Sequence, residues 1–346
     1  MEDDPDSVLR WSERKLAGHL LECITRNPTL ATYVKQVWLS LDSGTIAQDP
    51  LLPELIRRLP VLSSLQIGAY DPSYRWGQVA SDLQAAIIDA CQLPTLRHLH
   101  LNSVSEIPIS LVTNSNLMKL ELYNVPSFYD FERLFQPNAG GRFTEDKALK
   151  SGYFTSIRAL ACGYLVTKPK DCLRSIIESS AMATSLRTLR IMVVIDPEST
   201  DTPSAVEGFT PPFNLSRLSN LRLLKIRCEL GPLSESATLS IIPSFLSLVN
   251  QTLTTVDKSA PLEEIRLTIA HISHGPLLTQ LSSDRWKRVC DSIASLSPQK
   301  TQIKIKIFPY SDEIEREIFP KILELLKDIP GIVPVLKASD GTQWDS

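Results

Sequence analysis

The chain has 346 residues, of which 43% are hydrophobic and 22% charged, proportions of an ordinary globular protein that exclude general disorder. A formal net charge of -3 and a pI of about 6.0 argue against a protein built chiefly to coat nucleic acid. The acidic start MEDDPDSV carries no secretory signal, and no apolar run approaches the ~20 residues of a membrane span.

Residues 8–26, VLRWSERKLAGHLLECITR, place Leu9, Leu16, Leu20 and Cys23 near helical spacing, and Asn27-Pro28 ends the pattern. A helix therefore leads into a first strand in YVKQVWLSL. Residues 51–62, LLPELIRRLPVL, read as the helix before a second strand at Leu65-Gln66-Ile67. Helical patterns return at 79–92, 169–180 and 240–253, so helix, short loop and strand form the unit. Two stretches read as insertions. In 126–152 the aromatics Phe128, Tyr129, Phe131 and Phe135 predict a packed excursion, whereas 196–214 is rich in Pro, Ser, Thr and acids and predicts a surface loop. Towards the end, 277–296 predicts an amphipathic helix on Leu281, Val289 and Ile293, followed by the strand TQIKIKIF. A last helix at 313–329 carries Pro320 as a kink, and a loose tail surrounds Trp344.

The strands share a motif, apolar-x-x-apolar-x-apolar, that returns about nine times. Its copies run Val34/Val37/Leu39, Leu62/Leu65/Ile67, Leu96/Leu99/Leu101, Leu117/Leu120/Leu122, Phe154/Ile157/Ala159, Leu186/Leu189/Ile191, Leu221/Leu224/Ile226, Leu262/Ile265/Leu267 and a final Ile303/Ile305/Ile307. Spacing varies from 21 residues (Leu96 to Leu117) to 41 (Leu221 to Leu262), so the array is irregular. The pattern predicts an α/β solenoid of residues 31–310, with a helical cap at 1–30 and a helical cap and tail at 311–346.

Within each copy, two apolar residues flank one outward residue, the alternation of a strand. Stacked in parallel, the flanked residues give Trp38, Gln66, His100, Glu121, Arg158, Arg190, Lys225, Arg266 and Lys304. The last five are cationic, and Arg227 and Lys306 stand beside them while Glu121 and Glu264 oppose the trend. Lys and Arg keep an exposed sheet soluble. Yet like charges in register on strands about 4.8 Å apart repel, a cost that favours a binding surface. The expected ligand is a protein partner with an acidic or phosphorylated segment, gripped by Arg158, Arg190, Lys225, Arg227, Arg266 and Lys304, with Trp38 and Tyr123 as aromatic anchors. Nucleic acid is disfavoured because few outward aromatics accompany the cations. A degenerate repeat protein without a specific ligand is the other alternative.

Catalytic patterns are missing: there is no H-E-x-x-H, no phosphate loop, no G-x-S-x-G and no C-x-x-C. The expectation is a non-enzyme without cofactor or metal. His271 and His274 lack companion ligands, and His98 with His100 reads as a solvated pair on one strand. Six scattered cysteines, Cys23 and Cys91 among them, suit small buried hydrophobes of a reducing compartment, so a cytoplasmic or nuclear location is expected. The sequons at Asn214 and Asn250 are discounted as short matches.

PTLATYVKQVWLSL, then LPTLRHLHLNSVSEIPISLVTNSNLMKLELYNV, then LRTLRI and LRLLKI resemble the leucine-rich-repeat region of fungal F-box-type proteins, over roughly residues 8–310. The resemblance implies an irregular leucine-rich-repeat solenoid with parallel strands on a concave face and helices and loops on the convex face. It implies a substrate-receptor-like module in which an F-box recruits a Skp1-like adaptor of a cullin ubiquitin ligase. No F-box pattern stands before the first repeat, since LLPELIRRLPVL feeds directly into a repeat strand. The asparagine ladder of regular repeats survives only at Asn102 and Asn124.

Overall fold

The computed structural model describes residues 9–11, 14–41, 46–71, 74–114, 116–125, 127–129, 136–137, 143–144, 153–165, 171–195, 213–230, 235–272, 284–296, 302–309, 335–337 and 343–345. The expected helix at 313–329, most of the loop at 196–214, and Phe131, Phe135 and His274 lie outside them. The chain divides into two compact units, Met1–Cys162 with Lys170–Ser175, and Gly163–Pro169 with Ile176–Ser346.

Unit 1 is built on parallel strands in sequence order: β1 (Leu9–Trp11), β2 (Gln36–Ser40), β3 (Ser64–Gly68), β4 (His98–Asn102), β5 (Lys119–Tyr123) and the start of β6 (Ala159–Leu165). Between them run α1 (Arg14–Arg26), α2 (Leu52–Arg57) and α3 (Ser81–Cys91), with α1 packed on α2 and α2 on α3. Inward strand residues such as Leu39, Leu65, Leu99 and Leu122 are fully buried. They face the apolar sides of the helices, including Leu55, Ile56, Leu83 and Ile87. Each such side chain contributes about 1.5–3 kcal/mol by leaving water.

Unit 2 repeats the scheme with β7 (Thr188–Ile195), β8 (Leu223–Leu230), β9 (Glu264–Ile272) and β10 (Gln302–Pro309), all parallel and in order. Its helices are α5 (Ser180–Ser185), α6 (Glu235–Thr254) and α7 (Asp284–Leu296), of which α6 packs on α7. A short helix α4 (Asp171–Ile177), whose first residues count with unit 1, precedes α5, and Ser179 caps α5 by accepting a hydrogen bond from the Met182 amide at 3.3 Å.

A recurring backbone device sets the register. One carbonyl at the head of each strand accepts two successive amides from the next: Lys35 from Ser63 and Ser64, Ser63 from Arg97 and His98, Arg97 from Met118 and Lys119. Unit 2 uses the same device, with Arg187 accepting from Arg222 and Leu223, and Arg222 from Glu263 and Glu264. These bonds satisfy the amides where the chain swings from loop into ladder.

Several expectations need correction. Leu9–Trp11 is a strand on β2 rather than the start of a helix; Leu9 and Trp11 flank Arg10 at period two, and pairing satisfies the edge of β2. The buried stripe of α1 is Ala17, Leu21 and Ile24, which leaves Leu16 and Cys23 exposed. Cys91, Cys162, Cys228 and Cys290 are buried as free thiols, and burial pushes Cys162 and Cys290 up to about 12. Trp344 is not in a loose tail, since Gln343–Asp345 pairs antiparallel with Val335–Lys337. In the 126–152 insertion Phe128 is buried and Phe128–Tyr129 pairs with Ile107–Pro108, as a packed excursion requires. The Asn250 sequon is closed to modification: Thr252 is buried and Asn250 Oδ1 accepts from Ser292 at 2.7 Å.

Candidate recognition faces

In unit 2 the strand register brings four cations into one row: Arg190 opposite Lys225, Lys225 opposite Arg266, and Arg266 opposite Lys304. Two residues further along, Met192, Arg227, Thr268 and Lys306 form the next row of the same face. The alternation that buries Leu189, Ile191, Leu224, Ile226, Ile265 and Leu267 forces the intervening residues to the other side. Arg190 is exposed, and Lys225, Arg227 and Arg266 are half-buried. Glu264, one row before, holds Arg266 in a bidentate pair, with Nη2 donating to Oε2 at 3.1 Å and Nε donating to Oε1. At the strand heads Arg222 Nη1 pairs with Glu263 Oε1 at 2.8 Å. Glu264 and Glu229 are the carboxylates at outward positions of β7–β10, against Arg190, Lys225, Arg227, Arg266, Lys304 and Lys306. The face carries a surplus of positive charge on a chain of net charge -3.

The corresponding row of unit 1 has a different character. It runs Arg10, Trp38, Gln66, His100 and Glu121 across β1 to β5. Glu121 is buried, and three groups converge on its carboxylate: Lys119 Nζ at 2.6 Å, His100 Nδ1 at 3.3 Å and His98 Nε2 at 3.5 Å. Burial alone would raise its pKa; the polar contacts from His100, His98 and Lys119, with the Lys119 charge, outweigh it and hold the carboxyl well below the usual range. His98 also lies 3.2 Å from Ser64 Oγ through Nδ1, and His100 sits against Tyr123 with ring centroids 5.2 Å apart. The histidines are therefore not a solvated pair. Among the described residues no group of three or more His, Cys, Asp or Glu is arranged to hold a metal ion.

Arg158 does not belong to the row assigned to it from sequence. The Met118 carbonyl accepts from both Arg158 and Ala159, as the Arg97 carbonyl does from Met118 and Lys119. Arg158 is thus the strand-head residue equivalent to Met118 and Arg97, and the buried triad of this copy is Ile157, Leu160 and Cys162. Phe154, the apolar residue that imitated the motif, sits in the preceding turn with φ of 64°. Trp38 and Tyr123 are half-buried on the unit 1 face. Beside Trp38 lies a shallow depression, open to solvent and lined also by Gln66, Gly68, Tyr70, His100 and Asn102. Sequence reasoning missed it, because Gly68 offers no side chain to notice and Tyr70 follows the end of its strand.

Comparison with solved structures finds the leucine-rich-repeat-containing protein LegL7 from Legionella pneumophila, with a TM-score of 0.45 and 13% identity, covering 97% of this chain and 85% of that one. No protein-family model matches the chain, and no curated protein matches it. Among the described residues no helix is long and apolar enough to cross a membrane.

Proposed function

We propose that the protein is a non-catalytic recognition scaffold of leucine-rich-repeat type, and that the outward face of unit 2 binds an acidic or phosphorylated segment of a protein partner. The observation that carries this reading is the unbroken register of Arg190, Lys225, Arg266 and Lys304 on neighbouring strands. Cations held a strand spacing apart repel one another, and a row of carboxylates or phosphates relieves that repulsion while gaining charge-assisted hydrogen bonds. Arg266 is held in a fixed orientation by Glu264, so its guanidinium is pre-organised before any ligand arrives. A phosphodiester chain is the weaker reading, because the face offers no series of aromatic platforms for bases and the whole chain has a pI of about 6.0. On unit 1 the Ser64 hydroxyl does lie 3.2 Å from His98 Nδ1, but Ser64 is buried, whereas a nucleophile must be open to its substrate.

The finer reading is a substrate receptor related to F-box leucine-rich-repeat proteins, acting in the cytoplasm or nucleus, with a Skp1-like adaptor engaged only through an F-box beyond the pattern read in these residues. The test is an array of synthetic peptides, acidic, phosphoserine-bearing and neutral, probed with wild type and with the variant Arg190→Glu, Lys225→Glu, Arg266→Glu. Selective capture of acidic or phosphorylated peptides that the folded variant loses is the expected result. Equal capture by both proteins would refute the assignment of this face.

A further inference from the structure

We infer that the depression on unit 1 is a binding subsite for an uncharged, hydroxylated ring, the size of one pyranose unit of a glycan. It goes beyond the proposed function, since it concerns another face and another ligand chemistry.

The depression exists because of Gly68. In the row Ser40, Gly68, Asn102 and Tyr123, the position between Ser40 and Asn102 carries no side chain, and the gap opens beneath Trp38 on one strand and His100 on another. It is shallow and open to solvent, smaller than the pockets that enclose whole ligands, so it suits the face of one ring rather than an extended ligand. Tyr70, 81% exposed, stands at its rim.

The lining chemistry narrows the ligand. Among the described residues no Asp, Glu, Lys or Arg lines the depression, so none of them offers an ion a counter-charge. Polar groups of mixed donor and acceptor character do line it: the amides of Gln66 and Asn102, the Ser40 hydroxyl and the His100 ring. A purely apolar side chain seated there would strip water from these groups and return nothing, a costly exchange. A ring bearing hydroxyls satisfies them with its edge while laying its C–H face on the Trp38 indole.

His100 is pre-set for the task. Its Nδ1 faces Glu121 Oε2 at 3.3 Å, and its ring is backed by Tyr123 at 5.2 Å. The Nδ1 contact with the carboxylate fixes the ring orientation and leaves Nε2 as the ring nitrogen for a ligand hydroxyl. Glu121 and Tyr123 act here as positioning residues.

Gly68 supplies a clean test. Its φ lies outside the left-handed region, and a Cβ built there meets only ordinary contacts, Asn102 Cβ at 3.5 Å and Asn102 O at 3.7 Å. A leucine at this position fills the depression without straining the backbone. Glucose, mannose, galactose and N-acetylglucosamine, with their linear trimers, should be titrated by saturation-transfer NMR and calorimetry into wild type, Gly68→Leu, Trp38→Ala and Gln66→Leu. The expected result is saturable binding of at least one sugar, weakened tenfold or more by Gly68→Leu and Trp38→Ala. Gln66→Leu, at a half-exposed position, supplies the readout if a larger change unfolds the chain. Silence from every sugar, an affinity that Gly68→Leu leaves unchanged, or binding only of an uncharged aromatic peptide added in competition would each overturn the assignment.

Discussion

The two sheet faces use one backbone scheme for opposite electrostatic ends. In unit 1 the outward carboxylate, Glu121, is enclosed by Lys119, His100 and His98, so the charge is cancelled within the face. In unit 2 Glu264 engages Arg266, and Arg190, Lys225 and Lys304 share the row with it. The inward residues of both units are the same few aliphatic types at the same spacing, since packing admits little else. Outward residues escape that constraint, and there the units diverge.

The largest effects should strike both units alike. Leu101→Ala in unit 1 and Ile226→Ala in unit 2 each remove a buried side chain and should cost about 2–5 kcal/mol in chemical denaturation. A negligible loss at either site would break the shared-core half of the comparison.

Next comes Glu121→Ala, which strands the donors around a buried carboxylate and should cost about 1.5–3 kcal/mol at neutral pH. The pH dependence follows from the depressed pKa of Glu121. A carboxyl whose folded value lies below its unfolded value stabilises fully above the unfolded value, about 4.3, and loses that stabilisation as pH falls towards the folded one. Wild type should therefore lose stability below about pH 4 more steeply than Glu121→Ala. Parallel acid-unfolding curves for the two proteins would contradict the role given to the cluster.

Lys225→Glu should separate stability from recognition. Because it is half-buried on an outward face, folding should change by no more than about 1 kcal/mol, while affinity for an acidic peptide falls at least tenfold. The smallest effect is expected at Arg158→Glu, an exposed strand-head residue outside the unit 2 row; stability should shift by less than about 0.5 kcal/mol and peptide affinity should hold. A loss of affinity at Arg158 equal to that at Lys225 would restore the five-membered stripe read from sequence.

Much of the fold was legible because burial and alternation are local. Leu62, Leu65 and Ile67 announce their strand in six residues, and the register of Arg190, Lys225, Arg266 and Lys304 follows from their like place between the last two apolar residues of each motif. The failures have physical causes too. Phe154 stands three residues before Ile157 and mimics the motif, though it sits in a turn. Leu9–Trp11 is too short to carry a periodic signal and is defined by its partner strand. Stacking the motifs already placed His100 beside Glu121, but the burial of that carboxylate and the convergence of His98 and Lys119 on it depend on side-chain packing that no sequence pattern carries. The depression at Gly68 arises from a missing side chain among residues of three strands, a feature with no one-dimensional signature.

The most direct measurement is the dissociation constant of the tightest acidic peptide for wild type and for Arg190→Glu, Lys225→Glu, Arg266→Glu, across a series of salt concentrations. Wild-type affinity should fall steeply as salt rises, since exposed charges are screened within about 10 Å at 0.1 M, and the folded variant should bind weakly at every concentration. An affinity indifferent to salt, or retained by the variant, would contradict the claim that the cationic row of unit 2 is the recognition surface.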